Sequence, residues 1–148
     1  MTQTEHVLLR PVPPPDLLLR YGPHPEQVAE VRFAPAGSGP GPAPVLLLWH
    51  GGFWRAEYDR RHFGLLAAAL TAAGCTTANV EYRRVGCGGG WPTTLTDVAL
   101  AADRLPALIR RAGLDRVDAA PIDPDRVGYL GHSAGAQLAI WASLRDRL

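Results

Sequence analysis

The sequence predicts an α/β protein, a three-layer α/β/α sandwich in which helices cover both faces of a mainly parallel sheet. Three observations predict it. Short apolar or β-branched runs alternate with helix-period segments in the order β-β-β-α-β-α-β-α. Residues 45–50 are an unbroken apolar run, the pattern of a strand buried on both faces. Glycine-rich stretches follow three of the later strands, where sheets of this kind build their sites at strand carboxyl ends.

The elements follow in order. Residues 1–16, with Pro11, Pro13, Pro14 and Pro15, read as a loose Pro-rich leader. Residues 17–21 and 27–33 are short apolar or alternating runs around Gly22-Pro23-His24-Pro25, which predicts two strands joined by a turn. Residues 34–44 (APAGSGPGPAP) form a flexible connection to the strand at 45–50. Asp59 is an N-cap for a helix over 59–73, with Phe63, Leu66 and Leu70 on one face and Gly74 as its stop. A strand over 76–82 leads into the glycine loop 85–91 (VGCGGGW). Pro92 suits the first turn of a helix through Leu95, Val98, Ala102 and Leu105. Pro106 is expected to kink or end it, with 107–113 as a continuation. Residues 121–125 are rich in turn formers and lead to a strand over 126–131. The last helix begins at Ala134, with Leu138, Trp141 and Leu144 at helical spacing.

Composition narrows the function. The chain has 148 residues, 47% of them hydrophobic, which suits one domain with a real core. Fifteen basic residues against 14 acidic ones give a net charge of +1, so nothing electrostatic favours nucleic acid or a membrane surface. The basic residues are all Arg, which reflects GC-rich codon usage rather than chemistry. Cys75 and Cys87 form no CxxC pair or Cys/His cluster, so no metal site is expected and both are expected to be free thiols. Neither a signal peptide nor an apolar run long enough to span a bilayer is evident, and the expected location is cytoplasmic.

Chemistry concentrates in two segments. Gly131-His132-Ser133-Ala134-Gly135 is a G-x-S-x-G pattern between a predicted strand and a predicted helix. In that setting a sharp turn lifts the serine hydroxyl above the sheet, and flanking glycines remove the Cβ atoms that would clash. The turn also sets the helix N-terminus and the Ala134 N–H beside a developing oxyanion. The competing reading is an ordinary Gly-rich strand–helix turn with Ser133 as helix N-cap. Neither G-x-G-x-x-G nor GxxxxGK[ST] is present, so no nucleotide cofactor is expected. The second segment, His50-Gly51-Gly52-Phe53-Trp54, directly follows the buried strand. Paired glycines there let a backbone approach a substrate closely, as a second oxyanion donor requires. The competing reading is a glycine turn with a structural histidine.

With HGGFW (50–54), EYRR (81–84), GGGWP (88–92), Asp97, DPDRV (123–127) and GHSAGAQLA (131–139), the chain resembles the α/β-hydrolase superfamily. It is most similar to the esterase branch with an HGG oxyanion motif, the hormone-sensitive-lipase-like and kynurenine-formamidase-like enzymes. HGGFW is close to the HGGYW form of the formamidases. The resemblance implies that Ser133 is the nucleophile and that Gly52, Phe53 and Ala134 supply oxyanion N–H groups. It implies that Gly51 gives close approach, that His50 braces the loop, and that Trp54 and Trp91 line the substrate pocket. No cofactor or metal is implied. The partner would be a small ester or amide, including N-formyl aryl amides.

A serine nucleophile needs a base oriented by a third group. In this fold the chain order is Ser, then Asp or Glu, then His. The fifteen residues after Ser133 hold Asp146, expected to be a surface acid, and no histidine. His50 belongs to the oxyanion loop, His132 projects from the other side of the elbow, and His6, His24 and His62 fall in the leader, a turn and a helix. Asp97 reads as a structural acid. Residues 17–148 are therefore expected to be the N-terminal part of an α/β-hydrolase domain, cut after the elbow helix. The family's strand order would leave 126–131 as an open sheet edge, which favours self-association. Two functions follow: the nucleophile-bearing part of a serine hydrolase of esters or amides, or a catalytically incompetent fragment or binding module.

Overall fold

The computed structural model describes residues 10–147. His6 and most of the predicted leader lie outside the described residues. The elements are β1 (Leu17–Arg20), β2 (Val28–Arg32), β3 (Ala43–Trp49), α1 (Gly64–Ala72), β4 (Thr76–Val80), α2 (Thr93–Gly113), β5 (Ile122–Gly131) and α3 (Ala134–Leu144). A 3-10 turn, Arg60–Phe63, precedes α1.

The sheet order is β1-β2-β4-β3-β5. β3 pairs in parallel with β4 and β5, while β2 pairs antiparallel with both β1 and β4. The sheet is thus mixed: β2 alone runs against the other four strands. The reason is connection length. The turn after β1 and the short link from β2 to β3 hold no crossover helix, and a parallel step needs one.

Both faces are covered. On one, Val45, Leu47 and Trp49 of β3 pack with Val98, Leu105 and Ile109 of α2 and with Leu138 and Ala142 of α3. On the other, Leu48 packs with Phe63 and with Ala67 of α1, flanked by Leu46, Leu70 and Leu130. Leu47 and Leu48, neighbours on opposite faces, are both fully buried. Each such side chain contributes about 1.5–3 kcal/mol of burial, and β3 is an interior strand covered on both faces, between β4 and β5, as its apolar run predicts.

Several local expectations are corrected. The segment from Asp59 is not one helix: the Asp59 side chain accepts from the Arg61 N–H and caps a 3-10 turn. That tighter turn rotates the apolar face, so Ala67 is buried and Leu66 is exposed. α2 runs through Pro106 without ending. The predicted turn at 121–125 is the start of β5, where Asp123 pairs with Pro44 and the next rung is Val127 with Val45. The extra residues bulge out, and the Asp125 N–H donates to Asp123 Oδ1 at 3.0 Å. Residues 10–16 are tied down, since Arg32 Nη2 donates to the Pro13 carbonyl at 2.9 Å and the Phe33 N–H donates to Asp16 Oδ2 at 2.7 Å.

β5 is an outer strand, hydrogen-bonded to β3 on one side. Its residues are half-buried or exposed, unlike those of β4, which are all buried.

Candidate active site

The elbow is built by close backbone contact. A Cβ on Gly131 would lie 2.1 Å from the Gly135 carbonyl oxygen, and a Cβ on Gly135 would lie 2.0 Å from that of Trp49. Only hydrogen fits at either position, so the turn packs onto the end of β3. Between them Ser133 is held at φ 54°, ψ −121°, a region that a non-glycine residue occupies only when its surroundings force it. Ser133 stands at the N-cap of α3, yet its side chain caps nothing. Capping therefore does not account for the serine, and its hydroxyl is presented at the surface. The Ala134 N–H, in the first turn of α3, finds no acceptor among the described residues.

The loop after β3 meets this elbow. A Cβ on Gly51 would lie 2.7 Å from the His132 carbonyl oxygen and 3.1 Å from Ser133 Cβ. Gly52, Phe53 and Trp54 follow with φ of 116°, 55° and 57°. Two bulky residues in succession in the left-handed region are unusual and mark a loop whose shape is imposed by its contacts. The Arg55 N–H closes the turn onto the Gly52 carbonyl at 2.9 Å, while the N–H groups of Gly52 and Phe53 have no acceptor among the described residues. Three backbone N–H groups with no acceptor among the described residues thus lie on the elbow and on the loop that touches it through Gly51.

A third loop clamps the second. The Val85 N–H donates to the Trp54 carbonyl at 2.8 Å, and the Ala56 N–H to the Val85 carbonyl at 2.9 Å. Asp97, fully buried on α2, anchors this loop. Its carboxylate accepts from Arg83 Nη2 at 2.6 Å, from the Arg83 backbone N–H at 2.9 Å and from Gln27 Nε2 at 2.7 Å. Burial would raise the Asp97 carboxyl, but the Arg83 and Gln27 hydrogen bonds outweigh it and hold it below the usual carboxylate range. Asp97 is the structural acid expected, and its partners explain why.

Beneath the HGG loop, His50 is fully buried. Its Nδ1 lies 2.7 Å from the Gly51 carbonyl oxygen and its Nε2 2.8 Å from Glu81 Oε1. The Tyr82 hydroxyl donates to the His50 carbonyl at 2.7 Å, and the Tyr82 ring stacks on the imidazole at 4.7 Å. With both ring nitrogens engaged, His50 is not available to take a proton from Ser133. Ser133 Oγ has no hydrogen-bonded histidine or carboxylate among the described residues, and His132 is exposed beside Phe63.

A cleft of about 490 Å³ opens between the loops and α3. Phe53, Trp54, Val85, Trp91, Leu95 and Gln137 are among the residues that line it. Trp91 is 86% exposed and Phe53 67% exposed, so aromatic surface is presented rather than packed away. The structure thus brings together Gly51, Gly52, Phe53, Ser133 and Ala134, and places Trp54 and Trp91 on the neighbouring cleft. Glu81, Tyr82 and Gln137 fall within the EYRR and GHSAGAQLA segments, yet the sequence assigns none of them an individual role. Gln137 is one helical turn beyond Ser133, so its spacing could have found it. Glu81 follows β4 as one acid in EYRR, and nothing local in the sequence marks its pairing with a histidine 31 residues away.

Residues 33–147 match the BD-FAE family model, well over half of the chain. The chain belongs to the BD-FAE family. Solved esterases share the fold of this BD-FAE chain. A bacterial heroin esterase matches at 28% identity and TM-score 0.67, over 88% of this chain and 39% of its own. An esterase from Pyrobaculum calidifontis matches at 20% identity and TM-score 0.69, over 90% and 41%. EstE1, a thermophilic carboxylesterase cloned from a metagenomic library, matches at 24% identity and TM-score 0.63, over 81% and 37%. The predicted fold class, the N-terminal part of an α/β-hydrolase fold, and the resemblance to HGG-motif esterases are both borne out. The BD-FAE chain spans about 40% of the length of the solved esterases. No curated protein sequence matches it. Among the described residues, no helix is long and apolar enough to cross a membrane.

Proposed function

We propose that the chain carries the nucleophile and the oxyanion hole of a serine hydrolase of carboxylic esters. Ser133 Oγ attacks the ester carbonyl carbon, the alcohol leaves, and water releases the acyl group from the serine. The N–H groups of Gly52, Phe53 and Ala134 receive the negative charge that develops on the carbonyl oxygen. Gly51 lets the loop approach the elbow, His50 supports that loop, and Trp54 and Trp91 form walls for the acyl or aryl group. The observation that carries this reading is the strained Ser133 elbow packed against Gly51, with free N–H groups on both sides.

The proton on Ser133 needs a base, and we assign the base and its acid to polypeptide beyond these 148 residues, in the family's order of acid and then histidine. N-formyl aryl amides are the second substrate class, suggested by the likeness of HGGFW to the formamidase form. Hydrolysis of p-nitrophenyl esters by the longer protein, abolished by Ser133→Ala, is the expected result. Unchanged turnover in that variant would remove Ser133 from the reaction.

A second reading has its own observation. Because Ser133 Oγ lacks a base among the described residues, these residues on their own act as a catalytically incompetent hydrolase fragment or a binding module. Ester turnover by the 148-residue chain at the solvent rate fits that reading. Turnover well above it and dependent on Ser133 contradicts it, although an oxyanion hole alone sustains weak catalysis.

A further inference from the structure

Among the described residues, the cleft beside Ser133 has one polar side chain that the fold leaves unused. No residue that lines the cleft is charged. Apart from the indole N–H groups of Trp54 and Trp91, its polar side chains are those of Thr94 and Gln137. Thr94 is buried and committed to the neighbouring loop: its Oγ1 donates to the Arg83 carbonyl at 2.7 Å and accepts from the Gly90 N–H at 3.0 Å. Gln137 is exposed, and its side-chain amide has no hydrogen-bond partner among the described residues.

The place of Gln137 is set by α3. Its backbone N–H donates to the Ser133 carbonyl at 3.4 Å, which puts it one helical turn beyond the elbow. The Cα–Cβ bond of a helical residue tilts toward the helix N-terminus, so this side chain leans back toward the serine. An exposed glutamine on a helix is ordinarily a solvated surface residue. This one interrupts an aromatic and aliphatic wall, in a cleft of about 490 Å³ that adjoins the strained serine.

We propose that Gln137 is a specificity-determining residue, and that the cleft selects uncharged acyl groups bearing a hydrogen-bonding atom about one helical turn, ~5 Å, from the ester carbon. A carboxamide both donates and accepts, so it serves hydroxyl, ether and amide groups alike. An ionised group meets no counter-charge in the lining and loses hydration on entering, which disfavours anions and cations equally. A purely apolar acyl group fits the aromatic walls but takes water from the Gln137 amide and returns no partner. The substrate class is therefore a neutral ester with a polar substituent, in preference to esters of diacids or amino acids. The link to turnover rests on the ester-hydrolase reading above. The binding preference does not.

Benzamide, benzoate and benzamidinium are planar, nearly identical in shape and different in charge. Each is titrated into the nitrogen-15-labelled 148-residue chain, with NMR following the Gln137 side-chain amide and the Trp91 indole N–H. Benzamide is expected to shift both signals and to bind about three- to tenfold more tightly than either ion, the worth of one neutral hydrogen bond. Gln137→Leu should lose that preference, and Gln137→Glu should make benzamidinium the tightest of the three. Backbone amide spectra establish that the variants fold; if they do not, the wild-type order decides. Equal affinity for the three probes, no binding of benzamide, or a preference unchanged in folded Gln137→Leu overturns the proposal. The longer hydrolase supplies a second readout, the ratio of kcat/KM for p-nitrophenyl hexanoate and for its isostere with an ether oxygen in place of the fifth acyl carbon. The ether ester should be favoured about threefold or more, and Gln137→Leu should abolish that advantage. A ratio that Gln137→Leu leaves unchanged overturns the specificity role. Selective binding of benzamide by a protein that turns over neither ester counts against Ser133 and leaves the assignment of Gln137 standing.

Discussion

Gly135 and Trp49 touch so closely that a Cβ on Gly135 would lie 2.0 Å from the Trp49 carbonyl oxygen. This contact seats the elbow on the end of β3, next to the HGG loop that leaves the same strand. The obstructing atoms are backbone, so no side chain can move aside. Gly135→Ala is expected to destabilise the fold by about 3 kcal/mol or more, at the upper end of overpacking costs. Chemical denaturation checks this, and a loss under about 1 kcal/mol would mean that the elbow does not dock as described.

Asp97 links α2 to the loop that clamps the oxyanion segment. Removing a partner of a buried ion pair leaves the other charge uncompensated, so Asp97→Ala is expected to cost about 3 kcal/mol. The pH dependence has a defined sign. Asp97 and Glu81 are both held below their usual range. Each therefore contributes stability that is present above its unfolded pKa of about 4 and is lost as pH falls through the folded value. Wild-type stability should fall below about pH 5, and Asp97→Ala should flatten that fall. An acid limb of equal steepness in the variant would contradict the assignment.

Much of this site is legible in the sequence, and what is not has a physical reason. Local sterics write themselves locally: Gly131 and Gly135 around Ser133, and Gly51 and Gly52 after an apolar strand, announce tight turns wherever they occur. Phe63 and Leu70 pack on the expected face, and Ala67 rather than Leu66 joins them, because the Asp59 cap starts a tighter helical turn and shifts the phase. The mainly parallel sheet is legible from the alternation of strands and helices, whereas the reversed direction of β2 is not, because it depends on how the elements cross. Glu81 was missed because a buried acid is recognised by its partners, and His50, Arg60 and Arg84 reach it from three separate segments.

Trp91 forms a wall of the cleft while 86% of its surface is exposed. A side chain so little packed contributes little to folding, so Trp91→Ala should change stability by no more than about 0.5 kcal/mol. In the hydrolase proposed above its effect should appear as a higher KM for esters with bulky apolar acyl groups, with acetyl esters little affected. Equal losses for both substrates would place Trp91 outside the pocket.

β5 offers an outer edge hydrogen-bonded on one side, and exposed sheet edges pair with further strands. The 148-residue chain is expected to associate as its concentration rises, with a broad, low melting transition. Size-exclusion chromatography across concentrations and thermal melting check this. A monomer at every concentration with a sharp, high transition would contradict it.

The proposed chemistry depends on Ser133, the strained residue at the start of α3, being the nucleophile. Labelling the longer protein with a fluorophosphonate, then mapping the adduct by peptide mass spectrometry, tests it most directly. A phosphonylated Ser133 is expected, with labelling lost in Ser133→Ala. An adduct on another residue, or undiminished labelling of a folded Ser133→Ala variant, would contradict it.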